Sequence, residues 1–263
     1  MTDVPAALTA EQVSAKWAAI APLIDKLNDR TDDKDDFDVH PRSSLARDDE
    51  WADPYHVSHA VKACIVAGVD HLHAVKVLIV DAQTVHVAAP ASLVRGCLEN
   101  ISAAYWILHP ASRAERVTRC LRWHMQNAKD QHKAIHRLAL PDYKPQDERI
   151  AKIVAVAERH RGIDVKSVER GYSSTAVVTY ADKHVDSRLG VLTPWQLCSG
   201  FAHGRPWANL SFSEREEHPT SDPNVMVVRF STDLTRALYL VRAAMNLTQD
   251  LLQMHQQRSR PQY

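Results

Sequence analysis

The sequence predicts an all-α protein, a single bundle of about seven or eight helices, on three observations. Glycine is scarce, with 7 residues among 263, although sheets with tight turns and phosphate-binding loops depend on it. Apolar residues recur at helical spacing through most of the chain, as in the segment 61–80. Prolines and polar stretches separate these segments, a pattern typical of helices joined by loops.

The amino-terminal half is predicted to contain four helices and one long loop. Thr9 caps the first helix. Residues 30–55 are rich in aspartate and poor in apolar side chains, so we expect an acidic polar loop there. Ser58 caps a second helix, and Pro90 stands in the first turn of a third. The fourth is a long helix over residues 112–139, because Pro141 and Pro145 interrupt the chain beyond it.

The carboxyl-terminal half is predicted to be helical as well. A fifth helix covers about residues 146–160, the segment 165–187 favours helix over strand, and a short helix begins at Pro194. We expect a loop over residues 205–224 and at most one short strand near 225–230. Ser231 then caps the last helix, and the polar residues 257–263 form a flexible tail. Residues 1–263 are thus expected to be a single helical domain.

Composition narrows the range of functions. Lys plus Arg and Asp plus Glu each number 32, so no global charge steers the protein toward nucleic acid or a membrane. The four cysteines lie far apart without a CxxC pair, which favours reduced thiols in a cytoplasmic protein. No basic leader with an apolar stretch begins the chain and no run of about 18 apolar residues occurs, so we expect no membrane span. We expect neither a metal site nor a cofactor.

The third helix carries the first candidate site. Arg95 and Glu99 lie one helical turn apart and are the only charged residues between Pro90 and Leu108. A solvent-facing helix surface carries more charge than this, so the pair is expected to be partly buried. It is either a structural ion pair or a site in which Arg95 binds an anion and Glu99 orients it or accepts a proton.

The second candidate site is the segment Ser199-Gly-Phe-Ala-His203-Gly204. Ser199 and His203 also lie one turn apart, and His203 stands at a predicted helix end. It is either a catalytic acid or phosphate ligand, or a histidine that caps terminal carbonyls. No nucleophile-elbow pattern surrounds Ser199. The nearby aromatic residues, Trp195, Phe201 and Trp207, are expected to be core rather than a surface for stacking bases.

The fourth helix presents a basic surface opposite its apolar stripe. This helix, 112–139, either contacts RNA phosphates or simply exposes a charged face to solvent. Its candidate nucleic-acid-binding residues are Arg122, Lys129, Lys133 and Arg137.

Two resemblances attach to these residues. The segment Arg95-Gly-Cys-Leu-Glu99-Asn100 and the later Ser199-to-Gly204 segment resemble a group of uncharacterised helical proteins of actinobacteria and their phages, which implies an all-helical fold. Arg119-Cys-Leu-Arg-Trp-His124 is similar in its spacing to the Arg and His of HEPN proteins, the helical nucleases of toxin and antiphage systems. Cys120 replaces the polar residue that usually follows the family's Arg. His124 also falls in the apolar seam, about 140° from Arg119.

Two functions follow as expectations. One is a non-enzymatic protein, in a phage or host-defence setting, that binds another protein or a second copy of itself through a helix face. The alternative is an HEPN-like, metal-independent RNase or toxin in which an Arg and a His act on a phosphodiester. Its candidate catalytic residues are Arg95, Glu99, Ser199, His203, Arg119 and His124.

Overall fold

The computed structural model describes residues 8–138, 145–186 and 189–261. The protein is 72% helical, so the prediction of a helical fold is confirmed. Within the described ranges there are eleven α-helices and one two-stranded antiparallel hairpin. The helices are α1 (Ala10–Asp32), α2 (Ser44–Ala52), α3 (Val57–Lys76), α4 (Ala89–Leu108), α5 (Arg113–Ile135), α6 (Gln146–Glu158), α7 (Val165–Arg170), α8 (Ser174–His184), α9 (Leu192–Ala202), α10 (Pro206–Phe212) and α11 (Leu234–Ser259).

The helix count exceeds the prediction because short helices occupy segments that read as loops. Part of the expected acidic loop over 30–55 is α2, capped by Ser43, whose hydroxyl accepts the Ala46 amide at 3.1 Å. Leu45, Asp48 and Ala52 of this helix are fully buried. The loop prediction was therefore wrong for residues 44–52. The many aspartates in this segment indicated a loop, although residues 44–52 form a helix with one buried face.

The hairpin lies between α10 and α11. Strand β1 (Glu214–Pro219) pairs with β2 (Met226–Ser231) in a register that sets Glu214 opposite Ser231 and Pro219 opposite Met226. A strand near 225–230 is thus present, but the prediction of at most one strand was wrong because β1 pairs with it, and the loop expected over 205–224 was wrong in part. The sequence of β1, Glu-Arg-Glu-Glu-His-Pro, contains no apolar alternation that indicates a strand.

The carboxyl terminus is more ordered than predicted. Helix α11 continues to Ser259, whose carbonyl accepts the His40 amide at 2.9 Å, and Pro261 forms a β-bridge with Ser43. The flexible tail expected over 257–263 was therefore wrong for the residues through 261. Residues 262 and 263 lie outside the described residues.

The chain forms two compact units. Of the described residues, those within 1–34, 66–100 and 185–248 form the first unit, and those within 35–65, 101–184 and 249–263 form the second. In the first unit the indole of Trp17 donates to the carbonyl of Leu234 at 3.1 Å, which ties α1 to the start of α11. The core of the second unit includes Leu121, Met125, Ile153 and Leu251.

All four cysteines are buried free thiols, two in each unit. Burial raises the pKa of the Cys64 and Cys97 thiols to about 12. It also raises the pKa of Cys120 and Cys198 well above the ordinary range. These residues pack as small apolar side chains.

Among the described residues, one helical stretch, Val57–Asp81, is long and apolar enough to cross a membrane, and an 18-residue window within it has a mean hydropathy of 1.7. Of its most apolar window, 39% is buried inside the protein. Length and composition are weak evidence for a membrane span, because core helices of soluble proteins have the same properties.

Candidate functional site in the first unit

The predicted charge pair on α4 forms as expected. Arg95 Nε donates to Glu99 Oε1 at 2.9 Å, and the two side chains are 28% and 25% exposed. The pair is thus partly buried while part of each group reaches solvent. Such partial desolvation strengthens an ion pair relative to one in bulk water.

Helix α9 brings two more side chains to this pair. Trp195 is buried, and its indole Nε1 donates to the same Glu99 Oε1 at 2.9 Å. The exposed ring of His203 lies with Nε2 at 3.2 Å from Arg95 Nη1. Because a guanidinium has only donors, His203 Nε2 accepts this bond, and a neutral ring then carries its proton on Nδ1.

The end of α9 fixes the position of His203. His203 is the carboxyl-terminal cap residue, and its amide donates to the Ser199 carbonyl at 3.1 Å. Gly204 follows with φ +59°, a left-handed conformation that suits glycine and ends the helix. Ser199 is half-buried, and among the described residues its hydroxyl makes no hydrogen bond with His203. Arg95, Glu99 and His203 therefore converge, and Ser199 contributes through its backbone.

Trp195 was predicted from the sequence as a core residue and not as a member of this cluster. The signal was present, since Trp195, Ser199 and His203 follow one another at intervals of four residues and share a helix face. A buried indole requires a hydrogen-bond partner, and Glu99 supplies it. Glu99 therefore links the two helices through a single carboxylate oxygen.

Two glycines permit close packing around the cluster. A Cβ on Gly96 would lie 2.5 Å from the Cδ2 and Nε2 atoms of His71, so the imidazole sits directly over the backbone beside Arg95. A Cβ on Gly200 would lie 2.6 Å from the Ala208 Cβ and 2.8 Å from Trp207 Cζ2. At each of these two glycines, a larger residue would therefore force a close neighbour to shift.

The aromatic residues near His203 are divided between core and surface. Trp195 and Phe201 are 8% and 5% exposed, as the prediction of a core cluster requires. Trp207 is 46% exposed, so the prediction was wrong for this residue. It lies in the first turn of α10 and rests against Gly200 rather than in the interior.

The alternative pair, Arg119 and His124, belongs to the second unit, and its two side chains have different surroundings. Arg119 donates to Glu115 at 2.7 Å and to the Trp106 carbonyl at 2.7 Å, and its guanidinium lies over the Tyr180 ring. His124 packs against Tyr55, and its buried Nε2 has no hydrogen-bond partner. Burial lowers the pKa of His124 to about 4, so the ring is neutral at physiological pH.

The candidate nucleic-acid-binding residues of α5 and the turn that follows it are used unevenly by the fold. Arg122 donates to the Gly171 carbonyl at 2.7 Å, and Lys129 donates to the Glu169 carbonyl at 2.6 Å. Lys133 is 74% exposed beside Asp130, and Arg137 is exposed in the short turn after α5. Half of the expected basic surface therefore packs against α7 and the turn after it.

A buried ion pair in the second unit was missed by the sequence reading. Asp48 has no exposure, and its carboxylate accepts from Arg116 Nε at 2.6 Å and Nη2 at 2.8 Å. Arg116 also donates to the carbonyls of Pro110 and Ala111 at 2.9 and 2.7 Å. Each of the three guanidinium nitrogens thus donates to at least one acceptor, which compensates for burying the charge.

Among the described residues, no group of three His, Cys, Asp or Glu side chains is placed to hold a metal ion. Comparison with known proteins assigns the chain to no family. No family model, curated protein or solved structure matches the chain.

Proposed function

We propose that the protein cleaves RNA phosphodiester bonds without a metal ion, at the Arg95–His203 pair of the first unit. The observation that supports this proposal is the 3.2 Å contact between Arg95 Nη1 and His203 Nε2 at a partly exposed position. An arginine supplies a fixed positive charge for a phosphate, and a histidine accepts or donates a proton near neutral pH.

The proposed reaction is a transesterification within the substrate. The scissile phosphate takes a hydrogen bond from Arg95 in place of His203, which leaves Nε2 free to accept the proton of the 2′-hydroxyl. The 2′-oxygen forms a bond to phosphorus, the bond from phosphorus to the 5′-oxygen breaks, and that oxygen takes a proton from solvent water. The hydroxide that remains takes the proton from His203 Nε2, which restores the neutral ring. The products are a 2′,3′-cyclic phosphate and a 5′-hydroxyl.

Glu99 and Trp195 act as positioning residues in this proposal. Glu99 accepts from Arg95 Nε, which limits the rotation of the guanidinium and leaves its terminal nitrogens available to bind a phosphate. Trp195 donates to the same carboxylate oxygen from α9 and so helps to fix its position. The guanidinium thus stays in place when the phosphate arrives, and it stabilises the charge that develops on the phosphate oxygens.

The test is incubation of the purified protein with mixed RNA, with and without a chelator, followed by analysis of the product ends. Wild type is expected to leave cyclic phosphate ends in both conditions, and Arg95→Ala and His203→Ala are expected to be inactive. Arg215→Ala and His218→Ala, which remove exposed side chains of the same types on β1, are the matched controls. Absence of cleavage by wild type would refute the proposal, and cleavage abolished by the chelator would refute the metal-free mechanism.

A second candidate function, self-association, is supported by the hairpin rather than by a helix face. The edge of β1 carries charged residues that discourage further pairing, whereas Met226 and Val227 at the start of β2, and Val225 just before it, are about half exposed. A second copy of the chain is the proposed occupant, with the two β2 strands antiparallel. The mass in solution tests this: wild type is expected to be dimeric and Val227→Lys monomeric, while a monomeric wild type excludes it.

A further inference from the structure

Trp207 combines exposure with a fixed position, and it lies four residues along the chain from His203 of the proposed catalytic pair. It is 46% exposed, and it comes after the turn that joins α9 to α10. An indole is the largest apolar side chain, and leaving half of it in water loses the free energy of burying it. A planar ligand that covers the exposed part of the indole would recover this free energy.

The indole is held at one edge by α9. A Cβ on Gly200 would lie 2.8 Å from Cζ2 and 3.2 Å from Cε2 of Trp207, so the ring contacts the helix backbone there. The turn beneath it is fixed by hydrogen bonds from the Arg205 amide to the Gly200 carbonyl at 2.8 Å and from the Ala208 amide to the Arg205 carbonyl at 3.1 Å. A ring fixed in this way loses little conformational freedom when a planar ligand stacks on it.

We infer that Trp207 is a stacking surface for an unpaired base of the RNA, next to the phosphate held by Arg95. This inference rests on the proposed function and names its substrate class as single-stranded RNA. Bases stack on aromatic side chains with little sequence preference because every base has a π face. In a duplex the faces of a base are covered by its neighbours, so double-stranded RNA cannot use this surface.

The test measures binding separately from cleavage. The probe is a fluorescent oligoribonucleotide with 2′-O-methyl groups, which lacks the attacking hydroxyl and is not cleaved by the proposed route. Its affinity is compared with that of an abasic oligomer of the same length and of the same strand in a duplex. The proteins are wild type, Trp207→Leu, Trp207→Phe and Leu23→Ala; the last removes a 52% exposed apolar side chain on α1 as a matched control.

Trp207→Leu is expected to weaken binding of the single strand by roughly 5- to 100-fold, while its affinity for the abasic oligomer changes little. Trp207→Phe should retain part of the affinity, and Leu23→Ala should match wild type. Loss in Trp207→Leu that is equal for both oligomers, or no loss at all, overturns the inference. If Trp207→Leu does not fold, Trp207→Phe decides by the same comparison of single-stranded and abasic probes.

The two proposals fail in different measurements. If wild type cleaves RNA but binding does not depend on Trp207, the stacking inference is overturned and the catalytic proposal stands. If wild type binds the single strand through Trp207 but cleaves no RNA, the catalytic proposal is refuted and the stacking surface stands. If wild type does not prefer the single strand over the abasic oligomer, the stacking inference is overturned whatever the cleavage result.

Discussion

Arg95 and His203 are separated by 108 residues in the chain, yet their side chains lie 3.2 Å apart. Each comes from a different helix, so the fold rather than local sequence creates the contact. An arginine paired only with Glu99 is fully explained as an ion pair. Its second contact, to an exposed histidine, adds the group that serves as general base in the proposed mechanism.

The first prediction concerns the shape of the Arg95 group. Arg95→Lys keeps the charge, but a lysine has one ammonium and cannot bond Glu99 and a phosphate in the same fixed geometry. The rate of RNA cleavage is therefore expected to fall by about 10²- to 10³-fold. Single-turnover cleavage of a labelled RNA measures this, and a rate near that of wild type would show that charge alone is sufficient.

The second prediction concerns the indole that orients Glu99. Trp195→Phe removes the Nε1 donor, and the loss of a hydrogen bond to a charged group is expected to lower the free energy of unfolding by about 1.5–3 kcal/mol. Cleavage is expected to slow by about tenfold, since Glu99 then holds Arg95 less firmly. Trp51→Phe, at an indole stacked on His160 in the second unit, is the control that should not change the rate.

The third prediction concerns the buried Asp48–Arg116 pair. Arg116→Met leaves a fully buried carboxylate without its main partner, so unfolding should become easier by about 3–5 kcal/mol. Arg113→Met removes a 31% exposed side chain with one 3.3 Å contact to Asp48, and should change stability by less than about 1 kcal/mol.

The double variant Asp48→Leu with Arg116→Met completes the thermodynamic cycle. Its loss of stability is expected to be smaller than the sum of the losses in the single variants Asp48→Leu and Arg116→Met. In the double variant neither charge is left without its partner. Denaturant unfolding provides all four free energies. Additive losses would mean that the two side chains are not energetically coupled.

The fourth prediction concerns pH and His124. The pKa of this ring is about 4 in the folded protein against an ordinary 6.5, so between these values the unfolded chain binds a proton that the folded chain does not. Stability should therefore fall as pH drops from 6.5 to 4, with this one residue contributing on the order of 3 kcal/mol. His124→Leu should flatten the curve in that interval, and an unchanged slope would contradict the assignment.

The fifth prediction concerns the contact between α9 and α10. Gly200→Ala places a methyl group 2.6 Å from the Ala208 Cβ, and the resulting overpacking should reduce stability by about 1–3 kcal/mol. Gly204→Ala meets no atom within 4 Å and is affected by its φ of +59° alone, at about 1–2 kcal/mol. RNA binding distinguishes them, because only Gly200→Ala displaces Trp207 directly.

The helical fold could be predicted because long helices show apolar residues at helical spacing and capping residues at their ends. The short elements could not. Helix α2 contains so many charges that its buried face is hidden, and Asp48 is buried only because Arg116, 68 residues later, neutralises it. Strand β1 lacks any apolar alternation and is a strand because β2 pairs with it.

The residues of the candidate site could be predicted from the sequence, but the contacts between their side chains could not. Arg95, Glu99 and His203 stood out because charged groups were rare in their helices. The sequence offered no means to join positions 95 and 203, since that contact depends on how α4 and α9 pack. Trp207 was misjudged because tryptophan in an apolar segment is usually core, and only the fold shows that its helix starts at the surface.

The reactivity of the four buried cysteines reports how often the structure around each of them opens. A thiol shielded from water and held in its protonated form reacts with an alkylating reagent only when the surrounding structure opens. Cys97 and Cys198 report on the first unit, and Cys64 and Cys120 report on the second. Timed alkylation followed by peptide mass spectrometry of the native chain thus compares the opening rates of the two units without any engineered label.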